Sequence, residues 1–299
     1  MFGADENARM GYIDPRQGVE TCGMVEQMAS DEIMLKITGD PFWAENCEDV
    51  AFNTYPAATM PDFKALRYIT SPNQVTSDAQ NHHPGIDNSG PFLAMNPFSC
   101  RCCQHNHTQG WPYYAEHLVL ATPDNGAALA LYASCQADIT VGNNQKIKLI
   151  EKTNYPFEES IQLLVQTEKN VDFPLYLRIP SWSPDASIKI NGKKVKTSLI
   201  AGQYVRIQRT WSNDDVIELN VPMHLNLRTW QVNKNSVSID YGPLTFSLKI
   251  QEKYIKRDSR QTAIGDSQWQ NDADAENWPS FEIFLSLIHI SEPTRLALI

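Results

Sequence analysis

With 299 residues, the chain is long enough for two domains and a sizeable buried core. Its formal net charge of −10 argues against nucleic acid or an anionic membrane as partner and suits a neutral ligand such as a sugar. No apolar run reaches the roughly 20 residues of a membrane span, so we expect no membrane-embedded segment.

The residues that follow Cys22 predict two helices. Apolar side chains recur at helical spacing: Met24, Val25, Met28, Ile33, Leu35 and Ile37. Gly39-Asp40-Pro41 predicts the end of this first helix, and Pro56 and Pro61 predict the end of the second. The second helix has one apolar side, formed by Trp43, Cys47, Val50 and Phe52. On that side, Cys47 is expected to be a small core residue and not a ligand.

Residues 70–100 are rich in Ser, Pro, Asn, Asp and Gly and predict a long loop. Loops of this length in compact domains are typically functional or disordered. The loop ends at the cluster Cys100-Arg101-Cys102-Cys103, and a helix from about Gln109 to Leu120 is predicted after it.

From about residue 122 the pattern changes to strands. Short strand-like runs occur at Ala128–Ala133, Lys146–Ile150, Ile161–Val165, Leu175–Ile179 and Val216–Val221. Asn191-Gly192, between Ser187–Ile190 and Lys194–Thr197, predicts a hairpin with a type I′ turn. Strands at this density predict an antiparallel β-sandwich, and a second β segment is expected to begin near residue 223.

Four side chains in two short pieces of chain predict a metal site: Glu20 and Cys22 in one, Cys102 and Cys103 in the other. Neighbouring residues diverge by about 100° in a helix and point to opposite faces in a strand. We therefore expect Cys102 and Cys103 to share a partner only in an irregular turn, and Glu20 and Cys22 to face one side only in an extended segment. Three thiolates and a carboxylate suit a tetrahedral Zn²⁺ ion, whereas the alternative interpretation is unpaired buried thiols.

Three motifs carry a resemblance to a known family: Asp-Glu-Asn-Ala-Arg (5–9), Asp-Pro-Arg-Gln-Gly-Val-Glu-Thr-Cys (14–22) and Arg-Cys-Cys-Gln-His-Asn-His (101–107). From about residue 1 to 283 the chain resembles glycoside hydrolase family 127 and its close relatives, the zinc-thiolate β-L-arabinofuranosidases. The resemblance implies a multidomain α + β protein. Residues 1–121 would be the C-terminal part of a helical (α/α) toroid, 122–222 a β-sandwich and 223–284 a second, truncated β domain. The first half or more of the catalytic domain is then expected to precede residue 1.

The resemblance also implies the chemistry of the site. Cys102 would be the nucleophile that attacks the anomeric carbon of an L-arabinofuranoside with retention of configuration. Glu20, Cys22 and Cys103 would complete the zinc site with Cys102, and Glu6 would be the general acid/base. The fragment is expected to be inactive by itself, because much of the toroid is missing.

Several neighbouring residues leave alternatives open. Asp5 is the local rival of Glu6 for the acid/base role. His105 and His107 follow the cysteine pair closely and are assigned to sugar hydrogen bonding in preference to zinc ligation. Cys100 departs from the family pattern and could compete for zinc or oxidise with a neighbour.

Two classes of function remain open. One is an exo-acting retaining glycosidase that acts on an L-arabinofuranoside-containing glycan. The other is a non-catalytic, carbohydrate-binding β-sandwich protein with a structural zinc site. In a structural site the protein fills all coordination positions, whereas a catalytic site keeps one open. Residues 285–299, which include His289, do not continue the family pattern and resemble translated sequencing-adapter sequence, so we exclude them from the predicted fold.

Overall fold

The structure, a computed structural model, describes residues 18–71, 74–78, 80, 94–95, 101–262, 271–285 and 296–298. Its helices are α1 Thr21–Thr38, α2 Pro41–Asp49, α3 Tyr55–Ala57, α4 Arg101–Glu116 and α5 Ser259–Thr262. A π-helical turn, Val50–Thr54, joins α2 to α3, and a 3₁₀ turn spans Gln231–Asn233. Among the described residues, no helix combines the length and the apolar character needed to cross a membrane.

Strands make up most of the described chain after residue 118. In chain order, the strands of the described residues are β1 Val19–Glu20, β2 Leu66–Arg67, β3 Ile69–Thr70, β4 Thr76–Ser77, β5 Ala94–Met95, β6 Val119–Ala121, β7 Ala127–Leu129, β8 Cys135–Val141, β9 Gln145–Thr153, β10 Ser160–Gln166, β11 Val171–Ile179, β12 Ser187–Ile190, β13 Lys193–Lys194, β14 Gln203–Trp211, β15 Asp215–Asn220, β16 Leu225–Trp230, β17 Ser236–Tyr241, β18 Leu244–Leu248, β19 Glu252–Arg257, β20 Ser280–Leu285 and β21 Leu296–Leu298. The fold is thus a mixture of a few helices and several sheets.

The first helix, α1, ends as the sequence predicts. Gly39 takes a left-handed conformation (φ 66°), and its N–H donates to the Leu35 carbonyl at 2.8 Å. The predicted apolar residues Met24, Val25, Met28 and Leu35 are buried. Ile33 and Ile37 are exposed, because at about 100° per residue they lie on the opposite side of the helix from Met28.

The second helix, α2, starts where expected and ends at Asp49, where the π-helical turn begins. The Asp40 carboxylate caps it by accepting a hydrogen bond from the Phe42 N–H at 3.0 Å. Helical backbone then continues through the π-helical turn and α3 and ends at Ala57, between Pro56 and Pro61, as predicted. Cys47 is fully buried in the core between α1 and α2, as predicted.

The segment around the π-helical turn contacts two different sheets. Glu48 forms an ion pair with Arg178 of β11. Asp49 accepts two hydrogen bonds from Arg228 of β16, at 2.6 and 3.0 Å. The Asn53 amide nitrogen donates to the Pro243 carbonyl, just before β18, at 2.9 Å. Its amide oxygen accepts from the Thr245 N–H, within β18, at 2.8 Å. Residues close together in sequence therefore connect the helices to both β regions.

Two sheets share the largest apolar core. One has six strands in the order β13-β12-β15-β10-β9-β8, and the other has four in the order β14-β11-β7-β6. Alternate residues of both sheets point into this core, among them Leu163 of β10, Leu175 of β11 and Leu219 of β15. Among the described strands the pairing is mainly antiparallel, as expected, except for β7 and β11, which are parallel. Parallel neighbours need a crossover connection, and here β8, β9 and β10 provide it.

Two further sheets contain the C-terminal strands. One has the order β16-β17-β18-β21, so β21 pairs with β18 although it lies in the segment excluded from the predicted fold. The other has the order β19-β20-β5-β2, with β4 also paired to β20. Strands from residues 66–95 and from 252–285 therefore meet in one sheet, which no sequence signal indicated.

Candidate metal centre

The carboxylate of Glu20 and the thiol of Cys22 lie at the junction of β1 and α1. Glu20 is extended (φ −72°, ψ 144°) and immediately precedes the helix. Thr21 fixes the junction, because its N–H donates to the Tyr68 carbonyl at 3.0 Å and its hydroxyl to the Arg67 carbonyl at 2.6 Å. The expected extended segment is found at Glu20, whereas Cys22 already belongs to α1.

Cys102 and Cys103 lie in the first turn of α4, so the expectation of an irregular turn is wrong. The predicted bounds of this helix, about Gln109 to Leu120, are also wrong, because it begins at Arg101 and ends at Glu116. Neighbouring Cα–Cβ bonds do diverge in a helix. However, each sulfur can take a different χ1 rotamer, which changes its direction from the helix. Both sulfur atoms can therefore approach the same point on α1.

The structure brings Glu20, Cys22, Cys102 and Cys103 together. One ligand atom from each lies within 4.8 Å of those of the other three. The sulfur atoms of Cys22 and Cys103 are 3.5 Å apart and share a hydrogen bond, and Cys103 Sγ is 3.7 Å from Glu20 Oε1. Glu20 and Cys103 are buried, Cys22 is half-buried and Cys102 is exposed. Of the three thiols, Cys102 is thus the one that a molecule from solvent can reach most easily.

The electrostatics of the four groups favour one thiolate. The hydrogen bond with Cys103 lowers the pKa of Cys22 to about 6, so its sulfur is negative at neutral pH. Burial, together with the negative charge of Cys22, raises the pKa of Cys102 to about 11. The pKa of Cys103 is also raised, by its hydrogen bond to Cys22 and by burial. A bound cation would be needed to hold all three sulfurs deprotonated.

Both helices that carry the thiols begin at the cluster. Cys22 is in the first turn of the 18-residue α1, and Cys102 and Cys103 are in the first turn of the 16-residue α4. A helix N-terminus carries a partial positive charge of roughly half a unit, and thiolates are stabilised there. The fold therefore offsets part of the repulsion among the sulfurs.

The group of four includes none of the other predicted site residues that the structure describes. Glu6, Asp5 and Cys100 fall outside the described residues. His105 is exposed on α4, and His107 stacks on the ring of Tyr55; neither belongs to the group of four. Burial lowers the pKa of His107.

One residue near the cluster was missed from the sequence. Asn106 is among the groups whose hydrogen bonds lower the pKa of Cys22. It lies one helical turn after Cys102 on α4, and this i, i+4 spacing could have indicated it if the helix had been predicted to start at Arg101.

The donor set fits a zinc ion. Three sulfurs and one carboxylate oxygen form one of the N/S/O combinations that bind Zn²⁺ in four-coordinate sites. The five cysteines whose state the structure describes, Cys22, Cys47, Cys102, Cys103 and Cys135, are free thiols. Glu20, Cys22, Cys102 and Cys103 could therefore hold a metal ion without competition from a disulfide among these five.

Comparison with protein families gives two matches. Residues 1–116 match the family model described as Beta-L-arabinofuranosidase, GH127 catalytic domain. Residues 126–223 match the model described as Beta-L-arabinofuranosidase, GH127 middle domain. No curated protein sequence matches the chain at a significant level.

Solved structures are similar over nearly the whole chain. A glycoside hydrolase matches with a TM-score of 0.68 and 20% identity, over 96% of this chain and 52% of its own. A GH127 β-L-arabinofuranosidase from Geobacillus stearothermophilus T6 matches with a TM-score of 0.66 and 18% identity, over 96% and 50%. A GH127 β-arabinofuranosidase matches with a TM-score of 0.66 and 18% identity, over 97% and 50%. The chain spans about half the length of these proteins, and at these identities the likeness is one of fold.

Proposed function

Because the chain belongs to glycoside hydrolase family 127, we propose that it carries the thiolate part of the active site of a retaining, exo-acting β-L-arabinofuranosidase. The observation that supports this most directly is the convergence of Glu20, Cys22, Cys102 and Cys103. Within this group Cys102 is the exposed thiol, as a nucleophile for a soluble substrate must be.

In the first proposed step, Cys102 Sγ attacks the anomeric carbon of a terminal L-arabinofuranosyl unit. The bond from that carbon to the leaving oxygen breaks, and Glu6 donates its proton to the oxygen. In the second step the Glu6 carboxylate removes a proton from water, and the water oxygen attacks the same carbon. The carbon–sulfur bond breaks, the thiolate is restored, and two inversions give net retention.

Glu20, Cys22, Cys102 and Cys103 are the proposed holders of a zinc ion. Bound Zn²⁺ would supply the positive charge that keeps the thiols deprotonated at neutral pH. The chain's own contribution is to collect the sulfurs at two helix N-termini and to leave Cys102 open to the substrate.

We further propose the domain division 1–121, 122–222 and 223–284. The first part would be the C-terminal part of a helical (α/α) toroid. The apolar core shared by the six-stranded and four-stranded sheets supports a β-sandwich for the second part.

A bromoacetamido derivative of L-arabinofuranose tests the proposed nucleophile. We expect it to alkylate Cys102 faster than sugar-free bromoacetamide does, and excess L-arabinose should slow the labelling. Peptide mapping by mass spectrometry should find no such label in Cys102→Ser, whereas the control Cys135→Ser should label like the wild type, since Cys135 lies outside the cluster. Equal rates with and without the sugar would contradict the proposal and favour a structural zinc site in a non-catalytic protein.

A further inference from the structure

The position of α4 decides whether Cys102 and Cys103 reach Cys22 and Glu20. Metal ligands in a working site must lie within a few tenths of an ångström of their required distances. Two of the four predicted ligands are carried by α4 and two by the junction of β1 and α1. Whatever fixes α4 against the rest of the fold therefore fixes the geometry of the cluster.

One buried tyrosine makes several contacts with α4. Tyr55, the first residue of α3, is almost fully buried. Its ring stacks on His107, with centroids 4.4 Å apart and planes at 24°. It meets Trp111 edge-on at 5.4 Å, and its hydroxyl donates to the His107 carbonyl. Tyr55 thus contacts both the side chains and the backbone of α4, within about one to two turns of the cysteine pair.

A glycine lets the helix approach this ring closely. A Cβ atom at Gly110 would lie 2.7 Å from Tyr55 Cζ and 2.9 Å from Cε2 and Oη, closer than real Cβ contacts. Glycine weakens a helix interior. Its presence at position 110 is explained by the close approach of the ring, which leaves no room for a Cβ atom. The aromatic ring is rigid and buried, so it cannot move aside as a long flexible side chain could.

The π-helical turn Val50–Thr54 immediately precedes Tyr55. A π-helical turn changes the direction in which the residues after it point, and such turns are frequent at functional sites. Here the turn separates Glu48, which faces the sheets, from Tyr55, which faces α4.

We infer that Tyr55 is a positioning residue for the thiol cluster: it sets the rotation and translation of α4 that bring Cys102 and Cys103 to Cys22 and Glu20. The inference rests on the proposed function for the purpose of the cluster, but its packing contacts are independent of that function. The hydrogen bond from the hydroxyl to the His107 carbonyl fixes the position of α4 along its axis. The contact of the ring with Gly110 sets the distance between α3 and α4.

Three variants of the 299-residue chain test this role. Tyr55→Phe removes the hydrogen bond to α4, and Gly110→Ala adds a methyl group against the ring. Tyr132→Phe is the matched control, because this buried tyrosine also donates its hydroxyl to a backbone carbonyl, that of Arg178, but in the sheets. Zn²⁺ affinity is measured by competition with a chromophoric chelator, and the absorption of the Co²⁺-loaded chain reports thiolate coordination.

We expect Tyr55→Phe to weaken Zn²⁺ binding by roughly 10-fold and Gly110→Ala by up to about 100-fold, the range found for residues that orient metal ligands. Tyr132→Phe should bind Zn²⁺ like the wild type even if it unfolds more easily. The Co²⁺ spectrum should change in the first two variants only. Unchanged affinity and spectrum in Tyr55→Phe would overturn the inference and leave Tyr55 a structural residue.

A second readout does not need the metal. In the metal-free wild type, iodoacetamide should spare Cys103, which is fully buried, whereas half-buried Cys22 and exposed Cys102 stay accessible to it. A displaced α4 should make Cys103 reactive in Gly110→Ala and, more slowly, in Tyr55→Phe. Failure of the wild type to bind Zn²⁺ would contradict the proposed metal site alone. Full protection of Cys103 in both variants would contradict the role of Tyr55.

Discussion

Arg178→Met should destabilise the protein far more than the loss of an exposed ion pair. Arg178 is fully buried in β11, and its guanidinium pairs with Glu48 at the end of α2. Its Nε donates to the Ala130 carbonyl at 2.7 Å, and its guanidinium carbon lies 4.9 Å from the centre of the Tyr132 ring. Methionine keeps much of the apolar length but leaves Glu48 without a counter-charge.

The magnitude follows from what Glu48 retains. Its carboxylate would keep two hydroxyl partners, Tyr155 at 2.8 Å and Tyr114 at 3.5 Å. Burial raises the pKa of Glu48, and the charge of Arg178 opposes that rise. Without Arg178 the carboxyl must stay charged in the interior or take up a proton. Removing one partner of a buried pair typically costs about 3–5 kcal/mol of unfolding free energy.

Urea unfolding, followed by far-UV circular dichroism and by fluorescence, measures the difference. The control is Arg206→Met, which breaks an ion pair with Asp124 at 3.3 Å whose side chains are 47% and 40% exposed. Such a pair contributes roughly 0–1 kcal/mol. The double variant Glu48→Leu/Arg178→Met should recover much of the loss, since no buried charge remains. If Arg178→Met costs no more than Arg206→Met at equal m-values, the reasoning about this buried pair is wrong.

Three further predictions concern catalysis, pH and metal. In an active protein that contains this chain, Cys102→Ser should abolish the proposed glycosidase turnover on every substrate. Glu6→Gln should slow it by roughly 10²–10⁴-fold and be partly rescued by an aryl glycoside with a good leaving group. A similar response of both variants to leaving-group acidity would contradict the assignment. Glu151 is buried, its Oε1 has no hydrogen-bond partner among the residues that the structure describes, and burial raises its pKa. The native state thus binds a proton that the unfolded state releases above about pH 4.3, so this group makes stability fall as pH rises from there towards the raised native pKa. Glu151→Gln should flatten this dependence of stability on pH and be more stable than the wild type at pH 7. Urea midpoints measured between pH 5 and 8 test this, and an unchanged dependence would contradict the role of Glu151. A chelator should lower the melting temperature of the zinc-loaded chain but not that of Cys103→Ser, and an identical decrease in both would exclude Cys103 as a ligand.

Local signals in the sequence were sufficient where one or two residues determine the backbone. Gly39 ends α1 because its left-handed φ of 66° suits a residue without Cβ. Asn191 and Gly192 both have positive φ, 50° and 74°, and they join β12 to β13 as a type I′ turn requires. In both places the conformation depends on the residues themselves and hardly on tertiary contacts.

Long-range contacts explain what the sequence could not indicate. The parallel pairing of β7 with β11, and the sheet that joins β2 and β5 to β20, depend on segments far apart in the chain. The start of α4 at Arg101 has no strong signal, because Cys, His and Asn, which occupy most of residues 102–107, are weaker helix formers. The identity of the four converging residues followed from their chemistry and from a family resemblance. The exposure of Cys102 and the burial of Cys103 required the structure.

Glu48 and Tyr55 are near each other in sequence but connect different parts of the fold. Glu48 holds α2 to the sheets through Arg178, and Tyr55 holds α4 to α3 beside the thiols. The π-helical turn between them lets one short segment face both ways. Loss of the Arg178 charge should therefore reduce stability and leave the zinc affinity of the folded protein close to that of the wild type. Loss of the Tyr55 hydroxyl should weaken zinc binding by more free energy than it removes from the free energy of unfolding. Comparing the two variants separates the forces that keep the fold together from those that position the sulfurs.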